Sequence, residues 1–557
     1  MKKKYVNKLI ALAVATIMSL SIVACGSEKT SADNGDVTSI TLYPANASLT
    51  SGVVGGYMGE YLASRGLEIE VWAYSDDKTN AIMSSGDLPD VMYVTAEQLE
   101  VMIESDMVLE LDEYLDDMPH VVEQEELLAP AFNYIREFRS NDTGKVYCMP
   151  TSVGPSAASG QTDRNRVSVN WEIYKAAGYP EINSLADLID VMKVMMETQP
   201  EDETGAKIWG CQMNAGSDAT YFGSLILWYR WQGFSEENLP YLLETDMVNG
   251  TYASILNKDS LYYEGLKFYN KAYREGVFDP DSINIDRSTQ GKKTKMVSSG
   301  TNPGWHDTYF EVYVPGTTIY YKPGNTYGST NCYLVVNADT ENLDGCLKFM
   351  DMLSDSAAQI YASMGPEGDF WYTTEDGHLL MTEKAHEYYQ KADGSNYTYD
   401  NGEEAYLWNT AYILNTGVET GYLGYDESPI VNRHSDWAEE MQYTTNTENY
   451  NDWKEHTGYN TWQELLLDKG AWVSESPLDN VINFASTPDD TMQLTVDAIK
   501  DVVVNASWKM VYAESDEDFD KIWDKMITDC EGLGAQDIIN WRLADLENAK
   551  TVRDSLN

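Results

Sequence analysis

The fold is decided by three short segments near the start of the chain: Val37-Thr38-Ser39-Ile40-Thr41-Leu42-Tyr43, Leu67-Glu68-Ile69-Glu70-Val71-Trp72 and Asp90-Val91-Met92-Tyr93-Val94. The first two alternate apolar and polar side chains, as a half-buried β-strand does, and the third is an apolar run of strand length. Helical patterns follow at 53–63, 78–84 and 96–105. Strands that alternate with helices indicate an α/β layer with a mainly parallel sheet, whose ligands bind beyond the carboxyl ends of the strands.

The first 24 residues have the layout of a signal peptide. Four lysines among residues 2–8 precede an apolar stretch, 9–23, that is too short for a stable membrane-spanning helix. Ile22-Val23-Ala24-Cys25-Gly26 resembles the lipobox of bacterial lipoproteins. The resemblance implies cleavage before Cys25, a lipid on its sulfur and anchoring to the outer face of a membrane. Residues 25–36 have no large apolar side chain, which predicts a flexible tether.

The charge balance of the chain is strongly acidic. Its 557 residues include 90 Asp and Glu against 38 Lys and Arg, a formal net charge of −52. Such a surface repels a phosphate backbone, which argues against a nucleic acid partner. Hydrophobic residues make up 43% of the chain, enough for a large core. Trp and Tyr number 15 and 39 against 11 Phe, so rings with a polar group prevail, as suits surfaces that are half apolar and half wet.

Signals for catalysis and for metal binding are weak throughout the sequence. The H-E-x-x-H, G-x-S-x-G, P-loop and G-x-G-x-x-G patterns do not occur, and the six histidines lack zinc spacing. The segment 279–286 has a faint likeness to a calcium loop but lacks its Gly and its final Glu, so we interpret it as a helix-ending turn. Five cysteines follow Cys25 at wide spacings and are expected to be small core residues, with at most two disulfides. We expect no cofactor and no metal.

The segment Ser84-Ser85-Gly86-Asp87-Leu88-Pro89-Asp90-Val91-Met92-Tyr93 resembles the S-G-D-x-P-D-V motif of family 1 extracellular solute-binding proteins, the sugar-binding receptors of ABC importers. Four other segments resemble motifs of this family in the same order along the chain: 145–150, 275–281, 364–377 and 516–523. One position departs from the family pattern. Asn170 stands before Trp171 where an Asp is usual, which puts the ligand chemistry at that point in doubt.

The resemblance implies a two-lobed α/β fold of the type II periplasmic-binding-protein kind, with a hinge and a ligand cleft between the lobes. We expect the N-terminal lobe at 37–150 and about 315–370, and the C-terminal lobe at 151–314 and about 371–557. It also implies a role: a monomeric, lipid-anchored extracellular protein that captures an oligosaccharide and delivers it to the permease subunits of an ABC transporter. Such a receptor is not an enzyme, which agrees with the missing catalytic motifs.

A sugar cleft needs aromatic rings for the apolar face of a pyranose and polar groups for its hydroxyls. The candidates, all in loops or at strand ends, are Tyr43 and Asn46 after the first strand, Trp72 after the second, Glu97 near where maltose-type receptors place polar contacts, Asp218, Tyr221 and Trp228 in one aromatic segment, Trp305 and His306 between turns, and Glu367 and Trp371 at a Gly turn. Trp72 would fit a core equally well. Trp228 and Trp231 lie three residues apart on one helix, so one of them is expected to be buried.

Three alternatives to an oligosaccharide receptor stay open. A receptor for a peptide or another polar solute would need fewer stacking rings and more fixed charges. A surface enzyme that degrades polysaccharides would need a carboxylate pair, and among 90 acidic residues such a pair gives no signal. A surface adhesin would have a degenerate cleft and bind no small solute.

Overall fold

The computed structural model describes residues 37–44, 51–155, 167–213, 225–284, 296–299, 309–321, 324–375, 379–385, 397–398, 404–405, 447–460 and 462–556. The signal peptide, Cys25 and the tether lie outside these ranges. Among the helices within them, none is both long and apolar enough to cross a bilayer.

The strands, numbered along the chain, are short and are spread over its whole length. They are β1 Thr38–Tyr43, β2 Gly52–Val53, β3 Leu67–Val71, β4 Val91–Val94, β5 Met149–Pro150, β6 Gly154–Pro155, β7 Val167–Asn170, β8 Phe234–Ser235, β9 Leu243–Asp246, β10 Thr251–Ser254, β11 Val297–Ser299, β12 Tyr309–Glu311, β13 Ile319–Tyr320, β14 Gly324–Asn325, β15 Tyr333–Val336, β16 Trp371–Thr373, β17 Leu379–Met381, β18 Tyr397–Thr398, β19 Glu404–Ala405 and β20 Trp472–Val473.

The helices lie between these strands and dominate the C-terminal end. They are α1 Gly56–Ser64, α2 Asp76–Ser85, α3 Ala96–Glu104, α4 Pro119–Glu123, α5 Glu125–Phe138, α6 Trp171–Ala176, α7 Leu188–Thr198, α8 Ile226–Arg230, α9 Leu261–Arg274, α10 Leu343–Met352, α11 Ser356–Met364, α12 Thr447–Thr457, α13 Trp462–Asp468, α14 Asp490–Val511, α15 Asp516–Gly532 and α16 Ala535–Leu556.

The predicted strand and helix alternation at the start of the chain is confirmed. The first sheet has the order β2-β3-β1-β4-β15-β5, and β1 pairs in parallel with both β3 and β4. The register sets Ile40 beside Ile69 and Leu42 beside Val91, so the apolar side chains share one core. Strand β15 returns from a distant part of the chain and runs antiparallel to β4 and to β5.

Helix boundaries in this layer follow from capping residues. Helix α2 begins at Ser75, whose Oγ accepts a hydrogen bond from the backbone N–H of Lys78. It ends at Gly86, which has a φ of 72° and occupies the left-handed region that glycine adopts without strain. Helix α3 starts with a capping box in which Thr95 and Gln98 bond each other's backbone N–H.

Two separate hydrophobic cores divide the described part of the chain. The first contains buried residues from 40–153 and 333–362, on both faces of the large sheet. The second contains buried residues from 167–319 and 450–549 and includes the antiparallel sheet β11-β7-β12 together with α9 and the C-terminal helices. The chain passes between the cores through β6 and β14, which pair antiparallel with each other. We call the two halves the first and the second lobe.

None of the cysteines within the described ranges forms a disulfide. Cys148, Cys211, Cys346 and Cys530 are buried and Cys332 is half-buried. Burial raises the pKa of Cys346 and Cys530 to about 12, so both thiols stay protonated and act as small apolar residues. The segment after α9 is a turn, as predicted. There the Asp279 carboxylate accepts a hydrogen bond from the N–H of Asp281, at 3.0 Å.

Candidate functional site

The parallel strands of the first sheet end together at one edge, which we call the carboxyl edge. Tyr43 ends β1, Trp72 follows β3 and Thr95 follows β4, and the parallel pairing brings these three strand ends to the same edge of the sheet. Helices α2 and α3 begin at the same edge, each within five residues of the end of its strand. In an open α/β sheet this is where ligands bind, because the loops diverge there and the helix N-termini present free N–H groups.

Trp72 lies at the carboxyl edge as a half-buried ring. The Nζ of Lys78 lies 5.5 Å from its ring centroid and 5.8 Å from that of Tyr43, within cation–π range of both. The same ammonium donates a hydrogen bond of 3.4 Å to the Ala73 carbonyl. Lys78 forms no ion pair within the described chain, so its charge is balanced by rings and a carbonyl alone. The ring centroids of Tyr43 and Tyr74 lie 5.7 Å apart, so Tyr74 packs against the same group of side chains.

Glu97 is exposed in the first turn of α3, at the same edge. The start of this helix also contacts the segment that leads into β15. There the side-chain oxygen of Asn331 accepts a hydrogen bond of 3.2 Å from the Ala96 N–H. Glu97 and Asn331 therefore add a carboxylate and an amide near the place where the strands end. Groups of this kind bind sugar hydroxyls through their oxygens and N–H donors.

A polar cluster joins the start of α1 to the region of the hairpin β16–β17. The Tyr57 hydroxyl and the Lys384 ammonium both bind the Asp369 carboxylate, and Lys384 Nζ lies 2.7 and 2.8 Å from its two oxygens. Lys384 also donates to the Tyr57 hydroxyl at 2.6 Å. Partial burial alone would raise the pKa of Asp369, but hydrogen bonds from Lys384 and Tyr57 outweigh it and hold the pKa below its usual value. The hairpin is thereby held against the start of α1.

The second lobe departs from the family pattern at Asn170, and the structure shows what this residue does. Asn170 ends β7 and is buried, and its Oδ1 accepts a hydrogen bond of 3.3 Å from the N–H of Ile173. It is therefore the N-cap of α6, a position that Asn and Asp fill equally well. An amide replaces the carboxylate here without loss of the local fold.

Comparison with known proteins gives matches at the level of structure alone. No protein-family model and no curated protein sequence matches this chain. An HMO-binding, ABC-transporter-associated solute-binding protein from Bifidobacterium longum infantis is 17% identical, with a TM-score of 0.58 over 94% of this chain and 99% of that one. FusA, an ABC-transporter substrate-binding protein of Streptococcus pneumoniae in complex with fructo-nystose, is 14% identical, with a TM-score of 0.57 over 93% of this chain and 100% of that one.

A third solved structure agrees. The N-glycan transport solute-binding protein NgtS of Streptococcus pneumoniae is 14% identical, with a TM-score of 0.55 over 92% of this chain and 99% of that one. The chain has the fold of ABC-transporter solute-binding proteins. The expected two-lobed type II α/β fold is thus confirmed. Sequence identities this low establish the shared fold and leave the ligand of this chain to be argued from its own residues.

Within this solute-binding-protein fold, three of the predicted contact residues are buried. Tyr43 has no exposed surface, because its hydroxyl turns inward to the Ser75 carbonyl at 2.9 Å and to Thr79 Oγ1 at 2.7 Å. Trp228 is 2% exposed in the second core, with its ring centroid 5.0 Å from that of Phe268. Trp371 is 7% exposed and donates its indole N–H to the Gly365 carbonyl at 3.0 Å. None of these rings has a free face for a ligand in this conformation.

The remaining predictions divide into two groups. Trp72 and Glu97 both lie near the carboxyl edge, after β3 and after β4, and Glu367 is exposed in the turn before β16. Several candidates fall outside the described residues and stay predictions: Asn46, Asp218, Tyr221, Trp305 and His306. Of Trp228 and Trp231, both are buried rather than one.

Four residues of these two groups were missed by the sequence analysis: Tyr57, Lys78, Asn331 and Lys384. They belong to four separate segments, and only the tertiary fold brings Asn331 to the start of α3 and Lys384 to the start of α1. A signal for Lys78 was present in the sequence. A lysine in the first turn of a helix is unfavourable beside the positive end of the helix dipole, which indicates a local purpose. For the other three, no pattern in their own segments pointed to these contacts.

Proposed function

We propose that this protein captures an oligosaccharide between its two lobes and delivers it to an ABC-transporter permease. The supporting observation is the carboxyl edge. The Lys78 ammonium lies 5.5 Å from the centroid of the half-buried Trp72 ring there, and the exposed Glu97 carboxylate and the Asn331 amide lie at the start of α3, which follows β4 of the same sheet. An aromatic ring for the apolar face of a sugar and ionised or amide groups for its hydroxyls are the two requirements of carbohydrate binding.

The comparisons support the same proposal from outside the chain. The similar proteins from Bifidobacterium and Streptococcus are described as binding HMO, fructo-nystose and N-glycan, and are associated with ABC transport or named for it. A micromolar receptor needs about 8 kcal/mol of net binding free energy. Stacking on a few rings together with several charge-assisted hydrogen bonds, strengthened as closure removes water, is sufficient for that.

The proposal extends to the location and chemistry of the protein. The lipobox at Cys25 places the protein on the outer face of the cell membrane through a lipid anchor, as a monomer on a flexible tether. The ligand is bound and released unchanged. Cleavage before Cys25 removes four lysines and no acidic residue, which leaves 34 basic against 90 acidic residues and a net charge of −56. Such a polyanion stays clear of an anionic lipid surface, so the anchor alone holds it there.

Thermal unfolding with a panel of oligosaccharides tests this proposal. The purified protein is heated alone and with 1 mM nystose, kestose, Man5GlcNAc or lacto-N-tetraose, and each sugar is analysed by mass spectrometry afterwards. At least one sugar should raise the midpoint, because a ligand that binds only the folded state stabilises it, and that sugar should be recovered intact. Shortened sugar would identify an enzyme, and stabilisation by peptides alone would identify a different receptor class. No shift with sugars or peptides would support the adhesin.

A further inference from the structure

A small aromatic cluster lies between the two lobes. Tyr134 and Phe138 are on α5 of the first lobe, Tyr327 is on the chain crossing, and Phe484 is in a short 3₁₀ turn of the second lobe. The Phe484 centroid lies 5.4 Å from that of Tyr134, 5.6 Å from that of Phe138 and 4.8 Å from that of Tyr327. Tyr134 is only 1% exposed, yet neither Tyr134 nor Tyr327 is part of the two main cores. We call these four residues the hinge cluster.

Tyr134 is fixed by the first lobe and bonds to the second. Its hydroxyl accepts a hydrogen bond of 2.7 Å from Arg139 Nη2, and Arg139 Nε donates to the Tyr333 hydroxyl at 2.9 Å. The remaining hydrogen of the Tyr134 hydroxyl is donated to the Asn483 carbonyl at 3.0 Å. The hinge cluster therefore combines ring packing with one directed bond from lobe to lobe.

The turn that carries Phe484 moves with the second lobe. Arg553 on α16 donates to the carbonyls of Asp479 and Pro477, at 2.6 and 3.0 Å. Arg542 on the same helix donates to the Ser486 carbonyl at 3.0 Å and pairs with Asp545 at 2.8 Å, with both side chains less than a tenth exposed. The segment is thus held at both ends by α16, so Phe484 moves with the second lobe when the two lobes rotate relative to each other.

The sheet order places the hinge cluster next to the chain crossings and Trp72 several strands away from them. The crossings leave the first lobe from β5 and return into β15, at one end of the order β2-β3-β1-β4-β15-β5. Trp72 follows β3, three strands from β15, which is about 14 Å at the usual strand spacing. Helix α5, which carries Tyr134, packs against β5, the end strand. The crossings and the hinge cluster therefore share one end of the sheet, and Trp72 lies toward its other end.

We propose that the hinge cluster holds the lobes apart and opposes closure over the ligand. A rotation about the crossings that brings the second lobe toward Trp72 draws Phe484 away from Tyr134, so the contact is made in the open state and lost in the closed one. This rests on the proposed function, because closure matters only if a ligand is gripped. The apparent affinity of a protein that must close is reduced by the fraction of closed molecules, so weakening the cluster tightens binding.

Small-angle X-ray scattering and calorimetry on three variants test this inference. Phe484→Ala removes the shared ring, and Tyr134→Phe keeps all rings but removes the bond to Asn483. The control is Tyr273→Ala, which truncates a half-buried ring that packs on Tyr512 within the second lobe, at 5.0 Å between centroids. We expect Phe484→Ala to reduce the radius of gyration of the unliganded protein. Its Kd for nystose or Man5GlcNAc should fall about 3- to 10-fold, the size of one aromatic pair.

The outcomes separate this inference from the proposed function. Tyr134→Phe should shift both quantities in the same direction by less, and Tyr273→Ala should shift neither. An unchanged or larger radius of gyration, or weaker binding, in folded Phe484→Ala and Tyr134→Phe overturns the inference. If neither sugar binds any of the proteins, the proposed function fails for these sugars, and the scattering of the unliganded proteins still decides whether the cluster holds the lobes apart.

Discussion

Thr41 and Asp90 are joined by three hydrogen bonds, each of 2.8 Å, where β4 begins beside β1. The Thr41 N–H and hydroxyl both donate to Asp90 Oδ2, and the Asp90 N–H donates back to the Thr41 hydroxyl. Thr340 and Asn342 donate to the second carboxylate oxygen at 2.6 and 3.3 Å. This acidic residue of the S-G-D-x-P-D-V motif thus lies at the opposite end of the strand from the carboxyl edge. Its role is to tie two strands to the turn before α10.

Asp90→Asn should destabilise the protein by about 1–3 kcal/mol at pH 7, because an amide cannot accept all four donors. Burial alone would raise the pKa of Asp90, but hydrogen bonds from Thr340, Thr41 and Asn342 hold it below its usual value. The carboxylate therefore stabilises the fold above the unfolded pKa of about 4, and the benefit disappears as the pH falls through the folded pKa. Urea midpoints at pH 7 and pH 3 measure both effects.

The control for this experiment is Asp87→Asn, since Asp87 is exposed in the same motif. It should leave the urea midpoint unchanged at both pH values. If Asp90→Asn also left the midpoint at pH 7 unchanged, the network around Asp90 would not stabilise the sheet.

Lys384 and Asp369 are expected to be energetically coupled. A double-mutant cycle with Lys384→Met and Asp369→Asn should give a coupling free energy of about 0.5–1 kcal/mol. Both side chains are about a third exposed, at 34% and 39%, and solvent weakens the pair accordingly. The matched control is the exposed helical pair Lys525 and Asp529, for which we expect at most about 0.5 kcal/mol. Equal coupling in the two pairs would argue against a role for Lys384 in fixing the hairpin.

The sequence predicted the first sheet well because its signals are local. Alternation in 67–71, the cap at Ser75 and the glycine at Gly86 each act within one or two turns of chain, and the structure confirms the elements they bound. Strand β15 was not predicted. Its position beside β4 depends on contacts with residues more than 200 positions away, which no short-range pattern encodes.

The candidate site was harder to predict because burial depends on where a ring points. Tyr43 ends β1 and Trp72 directly follows β3, so the sequence places both rings at strand ends. The Tyr43 ring is nevertheless fully buried in the core, whereas the Trp72 ring is half-buried at the carboxyl edge. Register does not separate the two rings, because they follow the paired residues Leu42 and Val71. The difference lies in their tertiary contacts: the Tyr43 hydroxyl bonds to the Ser75 carbonyl and to Thr79, whereas the Trp72 ring is contacted by the Lys78 ammonium. Trp228 and Trp231 are both buried in the second core, so the ring of Trp228 serves core packing and not ligand contact.

Trp72→Ala should weaken oligosaccharide binding at least tenfold, because stacking on an aromatic ring and the ordering of Lys78 are both lost. The measurement is titration calorimetry with the sugar that gives the largest thermal shift. Trp541→Ala is the matched control, since Trp541 is a half-buried tryptophan of the second lobe that packs on Tyr241, 5.7 Å away. Equal loss of binding in both variants would show that a general effect on the fold, and not contact at the carboxyl edge, is responsible.

Cys25→Ala should release the protein from the membrane. The lipobox resemblance implies that Cys25 carries the lipid, and the chain after it has no large apolar residue up to Asp36. Fractionation of cells that express the natural protein should find it in the membrane pellet, and the variant should move to the soluble fraction or the medium. The control is Cys332→Ala, a half-buried cysteine within the fold. A variant that stays in the pellet would contradict lipid anchoring at this residue.

Glu244 should make the protein more stable in weak acid than in weak base. It is 5% exposed, and its carboxylate accepts hydrogen bonds from the Tyr229 hydroxyl at 3.0 Å and from Leu261 N–H at 3.1 Å. Burial raises the pKa of Glu244 to about 7, against the lowering effect of these bonds. The folded protein therefore holds this proton more tightly than the unfolded chain. The associated stability is fully present below about pH 4 and is lost as the pH rises to about 7.

Glu244→Gln keeps the shape and an oxygen acceptor but removes the charge. At pH 8 the variant should be more stable than the natural protein by about 1–2 kcal/mol, and at pH 4 the two should be equal, as measured by urea midpoints. Glu237→Gln, at an exposed position nearby, should change neither value. If Glu244→Gln instead lowered stability at pH 8, the ionised Glu244 carboxylate at the start of α9 would make a net favourable contribution to the free energy of unfolding. Its hydrogen bonds would then outweigh its desolvation.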